Sequence, residues 1–168
     1  QLMRTSERIL VTATQLFNER GERNVTASDI ALELDMSPGN LYYHFKGKDA
    51  ILGALFTGYY RALAGILATP ILESSFLEDE NALERSWLFL TVLLETMYDV
   101  RFLYSNQNDL MQRYPDIDRG MRRLMSLKKE AARQLATTLL VSVDISSQPQ
   151  RLQHVSDSMA LTLMHWLN

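Results

Sequence analysis

The stretch that decides the fold is MSPGNLYYHFKGK, Met36 to Lys48. Pro38, Gly39 and Asn40 are turn residues by type, because proline fixes φ while glycine and asparagine tolerate φ > 0. Leu41 and Phe45, however, stand four apart among two tyrosines and a histidine, the spacing of a short helix face. Ser37 decides between the two. It is a good N-cap, and Pro38 after it suits a first helical turn, where N–H groups have no intrahelical acceptor and a proline forfeits none. The stretch therefore reads as a helix that starts at Pro38. Gly39 costs such a helix about 1 kcal/mol relative to alanine, and close approach of its backbone to another surface is the expected reason for it.

Upstream, Ile9, Leu10, Ala13, Leu16 and Phe17 recur at helical spacing, and Gly21 is a natural stop. Thr26 then precedes Asp29 by three, a capping box that opens a second, short helix with Ile30, Ala31 and Leu34 as its apolar face. Downstream, Lys48 to about Thr69 is a longer apolar helix stopped by Pro70. Tight packing is the favoured reason for its Gly53, Gly58 and Gly65, pliability the other. Leu83 to about Val100 reads as a buried helix, apolar on most of its circumference. Phe102 to Tyr114 reads as a shorter helix ended by Pro115. Asp118 to about Val141 is long and amphipathic, with Met121, Leu124, Met125, Ala132, Leu135 and Leu139 inward, and Ile145 to Gln150 is a linker. A last helix carries Leu152, Val155, Met159, Leu163 and Trp166 at steps of 3, 4, 4 and 3. No strand-like alternation interrupts the series, and the expected fold is all-α.

The 168 residues suffice for one domain, or for a small domain joined to a larger one. The absence of cysteine excludes disulfides, thiolate metal sites and a cysteine nucleophile, and fits the cytoplasmic location expected here. The apolar run WLFLTVLL, Trp87 to Leu94, falls far short of the roughly 18 residues of a spanning helix, so neither membrane insertion nor export is expected. A net charge of −3 argues against sequence-independent nucleic-acid binding. Residues 1–48 balance six basic against six acidic side chains, whereas Glu73, Glu78, Asp79, Glu80 and Glu84 form an acidic run without Lys or Arg. No catalytic motif is present. His154 and His165 are eleven apart, about 16 Å along a helix axis, too far to share a metal. No enzyme activity, cofactor or metal site is expected.

Two short helices around a tight turn, with a helix before and a longer one after, are the parts of a helix-turn-helix domain. The string TQLFNERGERNVTASDIALELDMSPGNLYYHFKGKDAIL, Thr14 to Leu52, closely resembles the DNA-binding domain of the TetR family of bacterial transcriptional repressors. The resemblance runs from about Thr5 to Leu55. It rests on Leu16-Phe17 with Gly21, Val25-Thr26, Ile30-Ala31, Leu41-Tyr42-Tyr43-His44-Phe45 and Lys46-x-Lys48. Asp35 stands where the family usually has glycine. Aspartate enters the left-handed region at some cost, so the turn is expected to persist.

The resemblance implies a helix-turn-helix DNA-binding domain over residues 1–48, a connecting helix over 48–69, and a helical ligand-binding and dimerisation domain within 49–168. It makes residues 38–44 the recognition helix, with Asn40, Tyr43 and His44 outward and Leu41 and Phe45 inward. Gly39 and Asn40 are the expected base contacts, the first by close backbone approach and the second by donor and acceptor to an adenine edge. Tyr42, Tyr43 and His44 are expected on the DNA backbone. Lys48 and the N-cap Thr26 should grip phosphates through charge, hydroxyl and free N–H groups, with Ser28, Ser37 and Pro38 beside them.

The implied partners are a near-palindromic double-stranded operator, a second copy of the chain and a small-molecule effector of apolar character that releases the DNA. Leu152, Val155, Met159, Leu163 and Trp166 are the candidate dimer face. Trp87, Met97, Tyr98, Phe102, Tyr104, Asn108, Met111, Met121 and Met125 are the candidate pocket, against the default that such residues are core. An activator or co-repressor-dependent regulator with the same DNA-binding domain is one alternative function, and an all-helical enzyme or carrier another.

Overall fold

A computed structural model of the chain describes residues 3–69, 82–142 and 149–165, which are helical with short connections and contain no strand. Pro70, the acidic residues Glu73, Glu78, Asp79 and Glu80, linker residues 145–148 and Trp166 lie outside the described residues. Leu139 and Leu152 are described as helical positions alone.

The first helix, α1, spans Thr5–Arg20 and ends where Gly21, at φ 81°, donates its N–H to Phe17 O at 3.0 Å. Glu22–Asn24 add one 3₁₀ turn. The second, α2 (Ala27–Glu33), opens with the expected capping box: Asp29 N donates to Thr26 Oγ1 at 3.2 Å while Thr26 N donates to Asp29 Oδ2 at 2.8 Å. Its end is a Schellman turn centred on Asp35. That residue takes φ 52°, Asp35 N donates to Leu32 O at 3.1 Å and Met36 N to Ala31 O at 3.0 Å. The aspartate thus occupies the left-handed position in which the family favours glycine, and the turn persists.

The third helix, α3, is Pro38–His44, capped by Ser37, whose Oγ accepts from Asn40 N at 3.2 Å. Ile9, Ala13, Leu16 and Phe17 of α1, Val25, Ile30 and Ala31 around α2, and Leu41 of α3 close a small core with Ile51 and Leu52. Gly47, at φ 111°, turns the chain into α4 (Lys48–Leu67). This helix, not the Trp87–Leu94 run, is the most apolar element described. It has 20 residues at a mean hydropathy of 1.4, enough by length and composition to cross a membrane. Ile51, Leu52, Phe56, Tyr59, Leu63 and Leu67 are nevertheless buried, on the sides where it meets α1, α5 and α8, as in a core helix.

Gly53, Gly58 and Gly65 do not serve tight packing. A Cβ at any of them meets nothing within 4 Å, because all three lie on the open side of α4. The fifth helix, α5 (Ala82–Asp99), is less buried than its composition suggests: Leu93 and Met97 point inward, but Leu83, Trp87, Leu88 and Val92 are exposed. The segment read as one helix up to Tyr114 is two, α6 (Phe102–Ser105) and α7 (Gln107–Arg113), parted at Asn106, whose φ of −132° is not helical.

Pro115 does not end a helix. It begins α8 (Pro115–Ser142), in the first-turn position that suits a residue without an N–H. The last helix, α9 (Pro149–His165), lies along α8.

Candidate nucleic-acid interface

The geometry of α3 follows from its two ends and one buried side chain. Ser37 fixes the start, Phe45 N donates back to Leu41 O at 2.9 Å at the finish, and Leu41 is 1% exposed in the core. Phe45, half-buried just past the last turn, packs against that core. The opposite side is bare. Gly39, Asn40, Tyr42, Tyr43 and His44 are all exposed, Tyr43 at 80%. A large aromatic in that position contributes no packing to this subunit, apart from an edge-to-face contact with the neighbouring His44 ring at 5.3 Å. Tyr42 carries the Lys46 ammonium 4.6 Å above its ring, which places a cation beside a phenol. A Cβ at Gly39 would meet only Ser37 Oγ, at 4.0 Å, so nothing within the subunit requires glycine there.

The flanking hydroxyls differ in what they have left to give. Ser37 Oγ accepts from Asn40 N and keeps its own hydrogen for an outside acceptor. Thr26 Oγ1 donates its hydrogen to Asp29 Oδ2 at 2.7 Å. That bond, with the one from Thr26 N, holds the Asp29 carboxyl below the usual carboxylate range. Ser28 and Pro38 are exposed beside them.

Lys48 is placed differently from its expected role. Its ammonium donates to Glu22 O at 2.9 Å and pairs with Glu22 Oε1 at 3.0 Å, so its charge is turned into the protein. Burial of that carboxylate is what demands the cation.

Residues 66–168, more than half of the chain, match the family model of bacterial transcriptional repressors named TetR, and residues 9–55 match that of bacterial regulatory proteins of the tetR family. The chain belongs to the TetR family.

Among solved structures, a TetR-family transcriptional regulator from Marinobacter aquaeolei VT8 superposes with a TM-score of 0.81 at 29% identity, covering 98% of this chain and 79% of that one. An uncharacterized HTH-type transcriptional regulator of Xanthobacter autotrophicus is 34% identical over 84 residues, 49% of this chain and 41% of that protein. The HTH-type transcriptional repressor KstR2 of Mycobacterium tuberculosis is 32% identical over 85 residues, 45% of this chain and 42% of that protein. The chain thus spans about two fifths of the length of these two curated relatives.

In the larger TetR-family segment the residues singled out as a pocket divide between the core and the surface. Met97, Phe102, Tyr104 and Met121 are buried, and Met125 is half-buried. Trp87 is 72% exposed, on the outer side of α5. Tyr98 is also exposed, stacked under the Arg101 guanidinium at 4.6 Å, and lines a groove of about 560 Å³ beside α1. Asn108 and Met111 border a separate surface hollow of about 390 Å³ with Asp118 and Arg122. The candidate dimer stripe divides as well. Leu163 is 4% exposed and belongs to the subunit's own core, Met159 is half-buried against it, and Val155 faces out. A period of 3, 4, 4, 3 marks one face of a helix but does not say which neighbour covers it.

Two groups escaped the sequence reading. One is a polar seam between the DNA-binding helices and α5 to α8. Asn18 Nδ2 donates to Asp99 O at 2.8 Å, Phe102 N donates to Asn18 Oδ1 at 3.0 Å, Arg23 binds Asp109, Arg113 binds Glu22, and Tyr114 Oη donates to Asp49 Oδ1 at 2.7 Å. These partners lie 65 to 91 residues apart, beyond any local pattern. The other is Lys128, 3% exposed, whose ammonium donates to Tyr104 Oη at 2.9 Å and lies 4.6 Å from that ring's centre. Tyr104 in turn shares a hydrogen bond with Tyr59 Oη of α4. A signal for it existed: Lys128 sits four residues from both Leu124 and Ala132, inside the apolar stripe of α8.

Proposed function

We propose that this chain is a homodimeric transcriptional repressor that places α3 of each subunit in successive major grooves of a near-palindromic operator, about 34 Å apart, and is released by a small molecule bound in the helical half. One observation carries the DNA-binding part: α3 is anchored by buried Leu41 while Asn40, Tyr42, Tyr43 and His44 are left bare on its other side. Family membership and the repressor relative support the sign of the regulation. On this reading Asn40 reads an adenine edge, the Gly39 backbone lies against the groove floor, and Tyr42, Tyr43, His44 and Ser37 hold phosphates. The protein works in the cytoplasm.

Release needs an effector that binds the DNA-incompetent arrangement better than the competent one. The helix α4 is the lever, because only three residues part it from the recognition helix and it lies against α5 and α8. The test begins with operator fragments selected from genomic DNA and continues with fluorescence anisotropy. Asn40→Ala should lose about 1–3 kcal/mol of specific binding with relaxed preference at one base pair. Tyr43→Phe should lose about 1 kcal/mol. Unchanged specific affinity in both variants would remove α3 as the reading element.

A further inference from the structure

The half-buried Lys48 and the more exposed Arg113 are both paired with a carboxylate. Glu22 answers both Lys48 and Arg113. Lys128 is the one buried cation among the described residues. It is more deeply buried than either, no carboxylate lies within ion-pair distance, and its acceptor is a neutral phenol. Burial without a counter-charge pushes its ammonium down to about 8, still protonated for the most part at neutral pH.

The hydrogen-bond count around it is one-sided. An ammonium has three donors, and one is taken by Tyr104 Oη. Tyr59 and Tyr104 share a single hydrogen bond, so whichever phenol donates, the other phenol's hydrogen has no described acceptor. Among the described residues, two N–H groups and one O–H group of this cluster therefore have no acceptor, with a positive charge among them. Leu124, Ala131 and Ala132, buried on the same helix within four residues of Lys128, make that interior apolar.

We infer that Lys128, Tyr104 and Tyr59 form an anion site, and that the effector is a monocarboxylate carried on an apolar body. A single negative charge cancels the single ammonium, whereas a phosphate would leave surplus, uncompensated charge in an apolar interior. The two carboxylate oxygens would take the idle donors. As the effector's site this rests on the ligand-release reading above, and the cluster is placed to serve it. Tyr59 belongs to α4, Tyr104 to α6 and Lys128 to α8, so an anion that draws the phenols toward itself acts on the helix leading from the recognition element.

Calorimetric titration of the full chain at pH 7 tests the site, with acetate, benzoate and octanoate each compared with its alcohol: ethanol, benzyl alcohol and octan-1-ol. At least one carboxylate should bind tenfold or more tightly than its alcohol. Lys128→Met, which keeps the length and apolar stem, should abolish that preference, and Tyr104→Phe should reduce it severalfold. The absence of any carboxylate preference overturns the site, as does a preference that survives in both variants. Operator anisotropy with the preferred carboxylate separates the two readings. A Lys128-dependent carboxylate that leaves operator affinity unchanged upholds the anion site and overturns its role in release.

Discussion

Arg113, at the end of α7, closes its guanidinium on the carboxylate of Glu22 in the turn after α1. Glu22 is 2% exposed, so this pair, with the Lys48 ammonium on the other carboxylate oxygen, is the most buried of the contacts that join the turn after α1 to α7. The hydrogen bond to Glu22 raises the Arg113 pKa, and Asp109 adds to it. Removing one partner of such a pair strands a buried charge, which costs about 3–5 kcal/mol in isolated cases. Because Lys48 remains, Arg113→Met should cost less, about 2–3 kcal/mol, read from the urea midpoint. Hydrogen exchange should show the loss spreading into α1 and α2.

Lys48→Ala separates two roles for one side chain. If Lys48 gripped a phosphate, its removal would flatten the salt dependence of operator binding by about one unit of slope. With its ammonium bound twice to Glu22, Lys48 is expected to leave that slope nearly unchanged and to lower stability instead. Anisotropy at four salt concentrations beside a urea curve reads both.

What the sequence disclosed and what it withheld divide along the range of the forces involved. The capping box at Thr26 and Asp29, the Ser37-Pro38 start and the Gly21 stop are contacts between residues at most four apart, and each formed as its local chemistry required. The α3 face was legible for the same reason, since burial of Leu41 dictates what is left outward. Pro115 was misread because a proline can either stop a helix or open one, and here it opens α8. The Glu22–Arg113 seam and the Lys128 cluster join distant segments. No spacing announces them, although a lysine within an apolar stripe was a clue to the second.

Lys128 should show itself in the pH dependence of stability. Its folded pKa, about 8, lies below the 10.5 of the unfolded chain, so between those values the unfolded state binds more protons and stability rises with pH. The gain amounts to about 3 kcal/mol across that window. Relative to the wild type, Lys128→Met should therefore be more stable below pH 8 and lose that advantage by about pH 10.5. Burial lifts Tyr104 to about 12, which lowers stability only above pH 10, so the comparison is read no higher than that pH. Parallel denaturant curves at pH 7, 8, 9 and 10 check the sign; a constant offset would mean that folding leaves the Lys128 ammonium as acidic as in the unfolded chain.

The dimer surface is best tested on the outer side of α9. Leu161 is 57% exposed, whereas Leu163 is spoken for inside the subunit. Leu161→Glu should shift the chain toward monomer in sedimentation velocity and weaken operator binding tenfold or more, while leaving the thermal midpoint of the helices within a few degrees. Leu163→Ala should instead unfold the subunit more readily, by about 2–4 kcal/mol, the cost of a cavity in a core.

Gly120 offers the most direct test of α4 as the lever. It lies within α8, and a Cβ built on it would stand 2.5 Å from Phe56 Cε1 and 2.6 Å from Cζ, on a ring that is itself buried in α4. The alanine would gain about 1 kcal/mol in helix propensity, but overpacking costs about 1–3 kcal/mol. A buried ring with Tyr59 and Tyr60 about it yields less readily than a loose side chain end. Gly120→Ala should thus destabilise slightly while pushing α4 off α8. Gly53→Ala is the control, because that position faces open space and should simply stabilise α4 by about 0.5–1 kcal/mol. If α4 sets the position of α3, operator affinity falls severalfold in Gly120→Ala and stays level in Gly53→Ala. Equal affinities in the two would detach the recognition helix from the packing of α4 on α8.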